Sequence, residues 1–459
     1  MLVREQQERS ATEWFSDQCE ALALDGRVRS ESATLRDIAV QASEPLRVAV
    51  VGAVSVGKSA LVNALLGREL AYVAREEATS RVAWFRDPGL QIPPPLGTAH
   101  DLMQVTFPLS GKVVLIDTPG LDTASGNQVL TETLLSAKHA AAGAATALVL
   151  LVGSSAIGEG LSWIRRFAAL NGGPFELHKG IVVAGSKADL YETGGSAQGS
   201  RESREGQVDN LRDDIQRGAG HLVGHVAAIM PALAALARTD AFSDHVLAQI
   251  ELVASTEELL NSARHGWPSL EVAAKSYAPA LDVSNLNSLF GSHLGLTSAA
   301  NLLVSDKPAD PRAALRRLWV EMSGLKDLES QLSAVAAAGS TLTITAVVRR
   351  LERLATRLRP HLGSPVRELL AQWRAHPLRE CHDRSCAALV LEGNEMAYLP
   401  AEDRLAAVRL LRGEAGPPSR EARARWIEAG ASSQATSRDA QIIRMVLDLS
   451  LKEAGSTAS

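Results

Sequence analysis

The sequence predicts an open α/β domain, its sheet mixed but mostly parallel, joined to an all-helical region. Three observations carry this. Residues 47–67 run as a β-branched strand, a glycine-bounded loop and an amphipathic helix. From 45 to 240, short apolar runs alternate with helical patterns, as strands linked by crossover helices do. From 241 to 459 no comparable strand series occurs, and apolar residues recur at spacings of three and four.

Length and composition set the bounds. A chain of 459 residues allows roughly three domain-sized units. Hydrophobic residues make up 46% and charged residues 22%, a balance that supports sizeable cores. The net charge of −5 gives no case for nucleic acid binding through bulk charge. Three cysteines make no disulfide framework and fit a reducing cytoplasm. Cys381 and Cys386 flank His382, but two cysteines and one His without a matching cluster are weak as a zinc site. The first twenty residues carry several charges and do not read as a signal peptide. Stretches 139–158, 283–305 and 330–348 lack charge over about a bilayer's length. Their Ala, Gly, Ser, Thr and Asn content makes them buried helices or strands instead.

Taken in order, residues 1–44 predict two helices. Trp14, Cys19 and Leu22 mark one apolar side; Leu35, Ile38 and Ala42 mark the next, with Gly26 near the break. They precede the sheet in sequence, so they must pack on something later in the chain or on a partner. Residues 48–51 form the first strand, and Leu61, Leu65 and Leu66 line the helix after it. A polar loop (75–80) leads into a strand at 81–86, then a Pro/Gly-rich loop at 88–97. Further strands are expected at 112–116, 147–152, 180–184 and 222–229, with a Gly/Ser/charged segment at 194–206. Beyond 240, Ile344, Val347, Leu351, Leu354 and Leu358 form a heptad seam. Pro268, Pro308, Pro311, Pro360, Pro377 and Pro400 punctuate the helices, and 413–419 reads as a loop. Arg349, Arg350, Arg353 and Arg357 run beside the seam. A solvated face is the bland expectation for them, contact with anionic lipid or a partner the alternative.

The loop carries chemistry. Gly52, Ala53, Val54, Ser55, Val56, Gly57, Lys58 and Ser59 spell G-x-x-x-x-G-K-S between strand and helix, with Ala60 continuing into the helix. The glycines let the backbone wrap a phosphate, and the turn and helix N-terminus point N–H groups at it. Lys58 would reach the β/γ-phosphates and the Ser59 hydroxyl would bind Mg²⁺. Asp117, Thr118, Pro119 and Gly120 follow the strand at 112–116. Asp117 would hold the Mg²⁺ shell and the Gly120 N–H would sense the γ-phosphate. Thr79 or Ser80 would complete the metal shell, with Thr79 preferred. Ser186, Lys187, Ala188 and Asp189 end a later strand. A carboxylate there accepts from N1–H and N2–H₂ of guanine, a donor pair that adenine lacks. Lys187 would lie along the base, and Ser186 would tie back to the phosphate loop in place of the usual Asn or Thr.

These segments, with residues 77–86 and 43–47, resemble the bacterial dynamin-like GTPases, and most nearly the smaller member of the mycobacterial isoniazid-induced pair. The likeness is good over the nucleotide domain and fainter through 323–328 and beyond. It implies a P-loop GTPase domain at 45–240, with 1–44 and 241–459 pairing into a helical neck and stalk. It implies GTP and GDP with Mg²⁺, and a monovalent cation near Ser55. The partners it implies are a second copy or a related GTPase, met across the nucleotide through a loop like 190–194, and an anionic membrane surface. The location would be cytoplasmic, peripheral at the inner face of the membrane. One departure stands out: Val54 occupies the position where dynamins often carry the glutamine that orients water. The function expected is hydrolysis of GTP with nucleotide-dependent dimerisation and membrane remodelling. A regulatory or assembly GTPase with no membrane role, and a nucleotide-binding scaffold with very low turnover, stay open beside it.

Overall fold

The computed structural model describes residues 2–53, 55–71, 82–90, 100–118, 145–153, 157–171, 179–186, 209, 211–215, 217, 223–359, 362–393, 396–432 and 435–456. Seven strands form one sheet: β1 (Leu46–Gly52), β2 (Val82–Arg86), β3 (His100–Gln104), β4 (Val113–Asp117), β5 (Ala147–Val152), β6 (Ile181–Ser186) and β7 (His225–Ile229). Their order is β3-β2-β4-β1-β5-β6-β7. Only β2 against β4 is antiparallel. Every residue of β1, β4, β5 and β6 is buried, as expected of central parallel strands covered on both faces. The strands read from sequence occur within three residues of their expected ends. β3 was not expected. It is an edge strand, and such a strand needs neither a continuous apolar run nor strict alternation.

Eighteen helices are numbered here among the described residues. The N-terminal pair is α1 (Leu2–Ala23) and α2 (Ser32–Ser43), broken by a 3₁₀ turn at Gly26–Glu31. Within the sheet domain lie α3 (Lys58–Leu66), α4 (Ile157–Asn171) and α5 (Pro231–Arg238). Next come α6 (Asp244–Ser255), α7 (Glu257–Arg264), α8 (Trp267–Tyr277), α9 (Val283–Phe290), α10 (His293–Ser305) and α11 (Pro311–Met322). The remainder are α12 (Leu325–Ala337), α13 (Gly339–Arg357), α14 (Ser364–Ala375), α15 (Pro377–Glu392), α16 (Ala401–Leu411), α17 (Arg420–Ala431) and α18 (Ser437–Ser456). Proline sits in the first turn of α8, α11 and α15, where its missing N–H costs nothing.

Four cores hold these elements. α1 and α2 close on α13 and α14: Phe15, Leu35 and Ile38 meet Val347, Leu351 and Trp373. The heptad seam therefore finds its partner at the opposite end of the chain. α6 to α11 form a second body around Phe242, Phe290 and Trp319, in edge-to-face contact. One face of the sheet is covered by Trp163, Ile164 and Phe167 of α4. The other is covered by α3, α12 and the C-terminal helices, from Leu328 and Val335 to Trp426 and Ile442. No single described helix is long and apolar enough to cross a membrane. α12 and α13 pass that test only as a pair bent by 62°.

Two junctions fix the helices to the sheet. Gly324, between α11 and α12, has φ +77°, and a Cβ there would stand 2.1 Å from the Ala228 carbonyl oxygen. The neighbouring Ser323 carbonyl accepts from the Met230 N–H at 2.9 Å. Only glycine fits so close an approach. The second junction is ionic. Arg47 of β1 donates to Glu44 at 2.6 Å, and Arg86 of β2 pairs with the same carboxylate. Arg350 of α13 reaches Asp37 of α2 at 2.7 Å and also bonds Gln41. Gln41 in turn donates to Thr146 at 3.0 Å, before β5. The Trp84 ring faces the Arg47 and Arg86 guanidiniums at 5.4 and 5.8 Å. All five charged groups are buried. For Arg350 the expectation of a solvated face is thus corrected: it turns inward because an acid from the N-terminal helices waits there.

Candidate nucleotide site

The site is built where β1 ends. A Cβ on Gly52 would stand 2.5 Å from the Leu151 carbonyl oxygen of β5, so the strand must end in glycine. The chain then turns through Ser55, at φ +58°, and Gly57, at φ +99°. Gly57 caps α3, and a Cβ on it would meet the Pro231 ring at 2.8 Å. The turn is therefore shaped by left-handed backbone and by α5 beneath it. Val56 and Ala60 are buried and anchor the loop on its inner side.

Lys58 opens α3. Its ammonium lies over the loop, donating to the Gly52 carbonyl at 3.0 Å and the Ala53 carbonyl at 2.7 Å. The Ser59 hydroxyl donates to Oδ2 of Asp117, at the end of β4, at 3.0 Å. Asp117 is 1% exposed, and its Oδ1 has no hydrogen-bond partner. Burial pushes its carboxyl up to about 6, against the Ser59 hydrogen bond and the Lys58 charge. A buried carboxylate oxygen without a partner, beside a hydroxyl, suits a hard cation that takes oxygen ligands. The residues present fit Mg²⁺.

Three side chains brace this frame. Ser186, the last residue of β6, donates to the Val56 carbonyl at 2.5 Å, joining that strand to the loop. Thr118 donates to the Val50 carbonyl at 2.8 Å and holds the chain just after Asp117. Asn63 of α3 accepts from the N–H groups of Leu70 and Ala71 and donates to the Ala71 carbonyl. That fixes the point from which the chain sets out toward Thr79. Sequence reasoning assigned no task to Thr118, Asn63 or Pro231. The only signals were a Thr inside a motif, an Asn in an apolar helix and a Pro at a helix start. The structure thus brings together Gly52, Ala53, Ser55, Val56, Gly57, Lys58, Ser59, Ala60, Asp117 and Ser186. Val54, Thr79, Gly120, Lys187 and Asp189 lie outside the described residues. Cys386 and His382, flagged as weak metal ligands, sit in the core beside Thr345, with Sγ 3.5 Å from Nε2.

Residues 47–170 match the family described as 50S ribosome-binding GTPase. With the antiparallel β2 and the loop between β1 and α3, that decides the class. This is a P-loop GTPase domain. The chain is 49% identical over 49 residues to the isoniazid-induced protein IniC of Mycobacterium tuberculosis, covering 11% of this chain and 10% of that protein. It is 40% identical over 114 residues to the tRNA modification GTPase MnmE of Phenylobacterium zucineum (24% and 21%). It is 33% identical over 156 residues to the GTPase Der of Desulforudis audaxviator (33% and 30%). The match thus spans between a tenth and a third of these relatives. The chain resembles the bacterial dynamin-like GTPases, IniC among them. A solved bacterial dynamin pair, described as oligomerised and as sensing and tethering membranes, aligns over 99% of this chain and 76% of its own at 12% identity and TM-score 0.30. The LeoA bacterial dynamin GTPase from ETEC aligns over 100% and 88% at 14% identity and TM-score 0.28. Likenesses this loose carry no argument here.

Proposed function

We propose that this chain is a dynamin-like GTPase that hydrolyses GTP to GDP and phosphate. The observation that carries the reading is the Ser59–Asp117 pair with its partnerless buried oxygen, within reach of the Lys58 charge. On this reading Lys58 leaves the Gly52 and Ala53 carbonyls for the β/γ-phosphates, and the loop N–H groups cradle them. Ser59, Asp117 and Thr79 hold Mg²⁺, which when bound neutralises charge growing on the bridging oxygen. Gly120 donates to the γ-phosphate. Asp189 accepts from the guanine edge, Lys187 lies along the base, and Ser186 keeps that strand end against the loop. Water attacks the γ-phosphorus, the bond from that phosphorus to the β–γ bridging oxygen breaks with its electron pair leaving on GDP, and the water's proton passes to the released phosphate.

Val54 offers no polar group to orient that water. A second nucleotide domain docking across the site, itself or a related GTPase, supplies the missing order, and a monovalent cation by Ser55 adds charge. Membrane remodelling from the cytoplasmic face is the role we attach to this cycle, on the resemblance alone. Turnover measured against protein concentration tests the reading. Specific activity should climb through the micromolar range, where transient interfaces form. Lys58→Ala should abolish both turnover and triphosphate binding while circular dichroism stays native. Flat specific activity would leave an unassisted switch, and no Lys58-dependent turnover would leave a scaffold.

A further inference from the structure

The short helix α5 belongs to two structures at once. Its Ala234 lies in the core beneath the sheet. Its Leu233, Leu236 and Ala237, with the preceding Met230, lie in the core of the body formed by α6 to α11. Gly295 of α10 comes so close that a Cβ on it would stand 2.8 Å from the Leu233 side chain. On its other side α5 runs along α3. A Cβ on Gly57, just ahead of α3, would meet the Pro231 ring at 2.8 Å, and one on Gly67, just behind α3, would stand 4.0 Å from the Arg238 carbonyl oxygen. The two helices thus point the same way, and the first residue of α5 abuts the last glycine of the phosphate loop. The far end of α5 is held by α11. The Arg316 guanidinium donates to the Ala237 carbonyl at 3.2 Å and to the Thr239 carbonyl at 3.0 Å. A cation there also suits the negative end of the helix dipole. Arg238 pairs with Glu329 of α12 at 3.0 Å. The chain leaves α5 for the body at Thr239 and returns from it at Ser323, whose carbonyl accepts from the Met230 N–H. Both crossings are therefore tied to the ends of one helix.

We infer that α5 is a strut through which the body of α6 to α11 sets the phosphate loop, with Pro231 and Arg316 as its positioning residues. This rests on the nucleotide site proposed above. Gly57 sits at φ +99°, and the loop must keep that shape for its N–H groups to converge on one phosphate. The Pro231 ring limits where Gly57 can move, since proline has a fixed φ and a stiff side chain. From Pro231 to Arg238 the helix rises only about 10 Å, so it moves as one piece. A shift at its far end, once Arg316 lets go, is delivered at Gly57. Neither residue has to touch nucleotide for this to work. The coupling is reciprocal: whatever displaces the body alters phosphate binding, and nucleotide in the loop steadies the body.

The test uses the full chain, titrated calorimetrically with GDP in Mg²⁺, as wild type, Pro231→Ala, Arg316→Met and the double variant. Each single variant should bind GDP about tenfold more weakly with native circular dichroism, the scale of one lost charge-assisted hydrogen bond in the loop. The double variant should lose little more than either single one, because both act through the same contact. If Arg316→Met does not fold, Arg316→Lys, which keeps the cation without the fork, carries the same test with a smaller loss. Hydrogen exchange supplies a readout that a purely structural role would leave alone. Amides of α11 should slow when GDP binds the wild type, and that slowing should vanish in Pro231→Ala. Wild-type affinity in both single variants, losses that simply add, or α11 amides indifferent to GDP would each overturn the inference. Failure of the wild type itself to bind GDP is a different result, since it would sink the nucleotide site and the strut together.

Discussion

Asp117 holds a carboxyl group where water hardly reaches it, and its pKa of about 6 against the ordinary 3.8 has a sign that can be worked through. A raised folded value means the folded chain binds the proton more tightly than the unfolded one. The associated stability is fully present below pH 3.8 and is lost as pH rises through about 6. Above that the ligand-free protein carries a cost of roughly 2–3 kcal/mol for the buried charge. Asp117→Asn should therefore raise the melting temperature of the ligand-free chain at pH 7.5, with the gain vanishing near pH 4. A cation at Oδ1 reverses the sign, so the same variant should lose all stabilisation by Mg²⁺ with GDP. Melts across pH, with and without Mg²⁺, check both halves. Much of this site was legible. Gly52, Gly57, Lys58, Ser59 and Asp117 stand at fixed offsets because phosphate and metal geometry dictates them. Thr118 and Pro231 were not legible, since each acts through a neighbour that only the fold supplies.

At the scale of elements, Arg350 shows where a pattern misleads. Its place in a basic stripe beside an apolar seam says nothing of an acid 313 residues upstream. Arg350→Met would leave Asp37 buried among fewer partners, and removing one member of such a buried pair costs about 3–5 kcal/mol. Asp37→Leu added to it should recover part of that loss. Urea denaturation of both single variants and the double variant measures the coupling; simple additivity of the two losses would refute a paired role. The seam itself was legible because Ile344, Val347, Leu351 and Leu354 repeat with the period of a helix, and all four are buried. β3 was not. His100, Asp101 and Gln104 are polar, and its pairing with β2 is a matter of backbone.

At the scale of the molecule, the sheet does not own its whole core. The face that carries Leu46, Val48 and Val50 packs with Leu325, Leu328, Leu332 and Val335 of α12. Arg47 and Arg86 take their acids from residues 37 and 44. A fragment of residues 45–240 would thus expose an apolar face and strand two buried cations. It should aggregate, or melt without cooperativity, where the full chain melts in a sharp transition. A soluble, cooperatively melting fragment that binds GDP would overturn this. The alternation of strands and helices foretold the sheet. It could not foretell which distant helices cover it, since apolar stripes on several helices are interchangeable until packed.

The ionic junction also sets a timetable for synthesis. Asp37 is made early and Arg350 late, 313 residues apart. At about 5–20 residues per second, roughly 15–60 s pass between the two on the ribosome. Through that interval α2 waits with its apolar face unmatched, and Asp37 has Arg47 but not Arg350 to face. The nascent chain therefore closes its first core only once α13 and α14 have emerged, long after the nucleotide loop.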